Sequence, residues 1–263
     1  MTALFFMALV LGGTLAGALG GLLGIGGGIL LMPILRLCAG LSPAQAAGTC
    51  IVAVFFTTLG GSFRHWRQGH IDIRSIFPVM VAGAAATVIF SLLFSHLAER
   101  PRWLDLGTGL VFSLVSARMM TEGLLELSRG PVGETSQQQP RDCLSGKIAV
   151  GGLSGILPGL LGIGTGALLV PWFAMSVRVP MQVAVGSSLA CFSVNASLSA
   201  VFKVLQGFTA VAVALPLCLG TLVGSQFGAA LNRHFPSPAL KVLFGALFTC
   251  VALRFILLFW MGS

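Results

Sequence analysis

Two stretches of this chain carry nearly the same phrase. Residues 20–33 read GGLLGIGGGILLMP and residues 158–171 read PGLLGIGTGALLVP, 138 positions apart. Over 21–33, ten of thirteen residues are identical to their counterparts. The same shift carries Gly48-Thr49 onto Gly186-Ser187, Thr57 onto Asn195, Gln68-Gly69 onto Gln206-Gly207 and Pro78 onto Pro216, while Pro43 and Pro180 match with a slip of one. Shared composition does not hold a register for so long. The chain is expected to be two copies of one unit.

The phrase lies in very apolar surroundings. The chain is 56% hydrophobic and 8% charged, where a soluble domain carries about 25% charged residues. Apolar runs cover roughly 2–23, 28–41, 43–63, 75–97, 103–127, 145–161, 166–177, 180–203, 208–231 and 238–261. Many reach the ~18 residues needed to cross a bilayer's hydrocarbon. The fold class read from this is an all-α polytopic membrane protein of two homologous four-span halves, each with a glycine-broken first segment. The expected divisions are 1–127 for the first membrane repeat, 128–144 for a polar linker and 145–263 for the second repeat. The stretch SRGPVGETSQQQPRDCLSGK (128–147) has a linker's composition. The N-terminus shows no basic residue ahead of its apolar stretch, so it reads as the first membrane segment rather than a cleaved leader.

The formal charge of +8 comes from Lys and Arg scattered between apolar runs. That scatter forms no nucleic-acid footprint and suits cytosolic loops of a membrane protein. Cys38, Cys50, Cys143, Cys191, Cys218 and Cys250 show no paired spacing, which argues against a disulfide framework or a metal site.

Residues 2–41 as one helix would be about 60 Å long, twice the hydrocarbon thickness. The segment must bend or break, and Gly24, Gly26, Gly27 and Gly28 mark the place. In the second copy the same place holds Gly162, Gly164, Thr165 and Gly166. Broken backbone in a bilayer is tolerated only where protein buries it or a wet cavity lines it. Matched breaks in two halves point to a transporter's substrate site. Glycine lets a solute approach the backbone, and the free N–H groups of the following helix suit an anion. The two breaks are expected to face each other around a small hydrated chamber. Gly13, Gly17 and Gly21, and likewise Gly220, Gly224 and Gly228, have the four-residue spacing of helix packing.

The doubled glycine–proline phrase, the 4+4 arrangement and the length resemble the TauE/SafE family of sulfite exporters and related permeases. That resemblance implies a secondary transporter for sulfur-containing or small organic anions, driven by a proton or ion gradient, in the cell (inner) membrane. It leaves the cargo and the direction open.

Polar residues on the later spans extend the candidate substrate site. Thr49, Thr57, Ser187, Ser188 and Asn195 supply donors to an oxoanion without a permanent charge. Bonding back to their own helix is the competing role. Arg36, His65 and Lys203 are candidates for an entry point or relay, with snorkelling to the headgroups the competing role for Arg36. No carboxylate sits mid-span. No cofactor, metal or catalytic residue is expected. The expected partners are a small anionic solute and the lipid bilayer, with no nucleic acid, and homo-oligomerisation is left open.

Three other functions compete for these residues. An anion channel is compatible with the same glycine-lined path. GLSG (152–155) matches the surroundings of a rhomboid-type protease serine, but His65, His70, His96 and His234 stand at span ends or in loops. GIGGG follows no strand and precedes no acidic residue at the right distance, so it is no nucleotide loop. Each long first segment either crosses once, giving parallel halves, or folds back as a hairpin, giving inverted ones. Lys and Arg placement mildly favours the hairpin.

Overall fold

A computed structural model describes residues 3–129, 144–173, 179, 181–231 and 238–261. Most of the expected linker, together with Cys143, Ala174, Pro180 and His234, lies outside the described residues. Helix α1 (Ala3–Leu23) is followed by a short α2 (Gly28–Pro33) that runs on as one π-helical turn, Ile34–Cys38. Then come α3 (Pro43–Arg67), α4 (Ile73–Ala98) and α5 (Pro101–Arg129). After the linker follow α6 (Leu144–Leu161), a short α7 (Gly166–Trp172), α8 (Met181–Leu205), α9 (Val211–Leu231) and α10 (Pro238–Met261).

Among the described residues, six helices are long and apolar enough to cross a membrane, covering Leu4–Leu23, Pro43–Arg67, Ile76–Ala98, Leu144–Leu161, Gln182–Leu205 and Val211–Leu231. Their exteriors are apolar. Leu11 and Leu15 on α1, Ile89 and Leu92 on α4, and Leu215 and Leu219 on α9 are exposed. Thr49, Thr57, Ser187, Ser188, Asn195 and Lys203 are buried. Lipid as the surrounding solvent accounts for that distribution, and water does not.

Local chemistry sets the helix ends. Ser42 opens α3 by accepting a hydrogen bond from the Gln45 amide, and Pro43 takes the first turn, where it lacks only a donor that would be orphaned anyway. Gly69 and Gly207 close α3 and α8 in the left-handed region, with φ of 73° and 78°. The amides of His70 and Phe208 then reach back to the carbonyls of His65 and Lys203, both at 3.0 Å. This glycine-closed ending is the reason Gln-Gly recurs at 68–69 and 206–207.

Helix directions follow from which residues meet. Gly13, Gly17 and Gly21 of α1 rest against Leu217, Thr221 and Ser225 of α9 in ascending order, so these helices are parallel. Gly151, Gly155 and Gly159 of α6 rest likewise against Val79, Gly83 and Thr87 of α4. In both pairs a methyl on glycine would meet the neighbour's carbonyl, which is the close approach that small-residue spacing permits. By contrast α3 and α8 are antiparallel, since Gly61 meets Leu189 and Gly186 meets His65. Helices α5 and α10 are antiparallel too, joined by the Ser116 hydroxyl donating to the Gly245 carbonyl at 2.7 Å and by Phe112 stacked on Phe255.

Candidate functional site

The helix stops at Leu23 and again at Leu161, and resumes at Gly28 and Gly166. Gly24, Gly26 and Gly27 have φ of 72°, 80° and 72°, the left-handed region that a side chain disfavours. The first segment folds back on itself. The Gly26 amide bonds the Gly20 carbonyl, Gly27 lies against Ala16, and Ile34 reaches Gly12. So α1 and α2 form a hairpin whose tip is the glycine phrase.

The two breaks touch, backbone to backbone. A Cβ built on Gly28 would come 2.8 Å from the Gly164 amide, and one on Gly164 or Gly166 would overlap the carbonyls of Ile25 or Gly24. Gly26 lies against Thr58 of α3 and Phe192 of α8, each within a turn of its helix centre. The expected hydrated chamber is therefore replaced here by direct contact. The groove beside the first break, lined by Leu19, Leu23, Ile29, Leu30 and Phe248, is apolar and offers an anion nothing.

Thr165 shows why the phrase differs at one position. Its φ is −101° and its ψ −1°, whereas Gly27 has φ 72° and ψ −13°. Only the first copy requires glycine there. Both residues still accept the first amide bonds of the short helix, from Leu30 and Leu31 to Gly27 and from Leu168 and Leu169 to Thr165. The Thr165 hydroxyl is buried and has no partner, an arrangement that natural structures rarely leave unused.

The remaining polar candidates occupy different places. Ser188 donates to the Gly24 carbonyl at 3.3 Å and to Val185 at 2.9 Å, so it belongs to the first break. Thr57 lies beside Gly27, but its hydroxyl bonds back to Ala53 at 3.1 Å. Asn195 donates to the Ser154 hydroxyl at 3.4 Å, and its Oδ1 is buried without a partner. Ser154 in turn donates to Gly151 at 2.7 Å. Thr49 accepts the Ala210 amide at 3.0 Å and Ser187 accepts the Asp72 amide at 3.2 Å, tying down the loops after α8 and α3.

The basic candidates also separate. Arg36 is committed to a two-pronged ion pair with Asp105 of α5, at 2.9 and 2.7 Å, and to the Leu41 carbonyl at 2.8 Å. His65 is buried beside the Gly21 backbone, with its ring 5.8 Å from that of His70. Lys203 is fully buried, with Nζ 2.6 Å from the Gly159 carbonyl and 3.7 Å above the Phe94 ring.

Sequence reasoning missed Phe192 and Val54, which stand 138 positions apart and press on Gly26 and Gly28. They lie in the same register as Thr57 and Asn195, three residues earlier. That register was the available signal.

Known proteins supply the class. The family model described as Sulfite exporter TauE/SafE matches residues 9–255. A probable membrane transporter protein of Xylella fastidiosa (strain 9a5c) is 30% identical, with 94% of each chain covered. The probable membrane transporter protein YunE of Bacillus subtilis is 26% identical, with 90% of this chain and 92% of that one covered. The Sulfite exporter TauE/SafE family protein 2 of Arabidopsis thaliana is 32% identical over 43% of this chain and 25% of its own. No solved structure matches.

Proposed function

We propose, from the premise that this chain belongs to the sulfite exporter TauE/SafE family and is a multi-pass membrane transporter, that it carries a small oxoanion such as sulfite, thiosulfate or a sulfonate between its two broken helices, driven by an ion gradient. One observation carries the reading: two interruptions of buried backbone meet near the centres of α3 and α8. Broken backbone at that depth persists only where protein buries it or a cavity lines it, and matched breaks in two halves point to a transporter's substrate site.

The halves are read as inverted copies, each a folded-back first segment followed by three crossings, with α5 and α10 supplying the third. Support comes from contacts that recur at the 138-residue shift. The Thr49–Ala210 bond has its counterpart in Ser187–Asp72. The α1–α9 glycine contacts have theirs in α6–α4. Since α1 and α3 both run parallel to α9 while α3 opposes α8, each helix of one copy opposes its equivalent in the other. In such a pair, closing one copy's hairpin against the shared centre opens the matching route on the opposite side.

Contact between the breaks makes this arrangement the occluded one. Ser188 and the unpartnered Thr165 hydroxyl stand nearest the contact and offer donors to an oxyanion once the breaks part.

Purified protein in liposomes tests the reading. Expected are saturable sulfite uptake, acceleration by unlabelled sulfite on the far side, and dependence on an imposed ion gradient. Flux that rises linearly with concentration and shows no exchange favours an anion channel and overturns the carrier.

A further inference from the structure

Lys203 sits in the last turn of α8 with its side chain wholly inside the protein. Its Nζ donates to the Gly159 carbonyl at 2.6 Å and to the Pro158 carbonyl at 3.4 Å. The Phe94 ring covers it at 3.7 Å. Among the described residues no carboxylate pairs with it. The carbonyls it touches form the last turn of α6, immediately before the second break.

Those partners account for its position but not for its charge. Carbonyls at a helix C-terminus present about half an elementary negative charge, and an aromatic face contributes less. As an ammonium it has no anion beside it among the described residues. In membrane interiors such residues pair with one another or mark the path of an ion.

Its partners adjoin the second break: the Gly159 carbonyl is three residues, about one helical turn, from Gly162. At the first break the Cys50 thiol donates to the Gly28 carbonyl at 3.5 Å. At the equivalent place in the first half, His65 lies beside Gly21, again at the end of the broken helix. A basic group closes each broken helix, but only the second is a lysine.

We propose that the Lys203 ammonium is the counter-charge for the transported oxoanion, exchanging the Pro158 and Gly159 carbonyls for substrate oxygen when the breaks separate. This rests on the anion-carrier reading above.

Sulfite uptake into liposomes by Lys203→Gln and Lys203→Arg variants tests it, with KM and maximal rate measured separately and thermal unfolding in detergent as the control for folding. Gln keeps a donor for the helix end and removes the charge, while Arg keeps both. The expected result is a KM raised about tenfold or more in Lys203→Gln, the loss of one charged hydrogen bond, with a KM near that of the parent protein in Lys203→Arg. An unchanged KM in Lys203→Gln overturns the proposal. So does an equal loss of rate and thermal stability in both variants, which is the signature of a helix cap alone. If the parent protein moves no sulfite, thiosulfate or sulfonate, the functional reading fails and the proposal with it. If the parent transports and Lys203→Gln matches it, only the lysine assignment fails.

Discussion

Thr165 replaces a glycine of the first copy of the phrase, and its surroundings allow a test with two readouts. A buried hydroxyl without a partner costs about 1–3 kcal/mol, and Val preserves its shape. Thr165→Val is therefore expected to raise the unfolding temperature in detergent while weakening sulfite binding in the same preparation. A lower unfolding temperature would mean that the hydroxyl has a protein partner. Gly27→Ala belongs to the same comparison. Its left-handed backbone adds about 1–2 kcal/mol of strain, and the new methyl would lie 2.7 Å from the Ala16 carbonyl. Thr165→Ala escapes both effects, so Gly27→Ala should be the less stable of the two. The phrase located the breaks because length and glycine content are local properties. It did not give partners. Ser188 and Asn195 share a face of α8, as their seven-residue spacing predicts, yet one bonds Gly24 and the other Ser154. Periodicity fixes the direction of a side chain and leaves unspecified the helix it meets.

Among the elements, the π-helical turn Ile34–Cys38 is the one whose role the sequence concealed. It holds Arg36 against Asp105, 69 residues later, on a helix with which α2 shares no local pattern. Neither an anion entry nor a headgroup contact describes that guanidinium, because both of its terminal nitrogens are engaged. The pair is mostly buried, with side-chain exposures of 15% and 11%. Removing either partner alone strands a charge, and the residual exposure lowers the usual cost to about 1–3 kcal/mol. Arg36→Met and Asp105→Asn should each lower the unfolding temperature, and the double variant should lose less than the sum. Strict additivity would show that the ion pair does not couple α5 to the returning arm of the hairpin.

For the whole molecule, the decisive question is whether the equivalent loops lie on opposite faces of the membrane. Arg67 and Leu205 suit the experiment, since they end α3 and α8, match at the 138-residue shift and are exposed. Cysteines placed there, in a background without the native ones, should react with a membrane-impermeant maleimide from opposite sides of oriented vesicles. Labelling from the same side would make the copies parallel and remove the alternating route. The distribution of Lys and Arg already leaned toward inversion, but only weakly, because few charges sit in the loops of so apolar a chain. The helix pairings support the same reading more firmly, because directions are read from several contacts at once.

The parallel grip of α9 on α1 also bears on how the protein is made. The glycine face of Ala3–Leu23 is complementary to Val211–Leu231, at the other end of the chain. As the ribosome delivers residues in order, α1 enters the bilayer with that face bare and stays so until the seven intervening helices and α9 itself have been made. The nascent protein therefore depends on lipid, or on an insertion chaperone, to shield that face until its distant mate arrives.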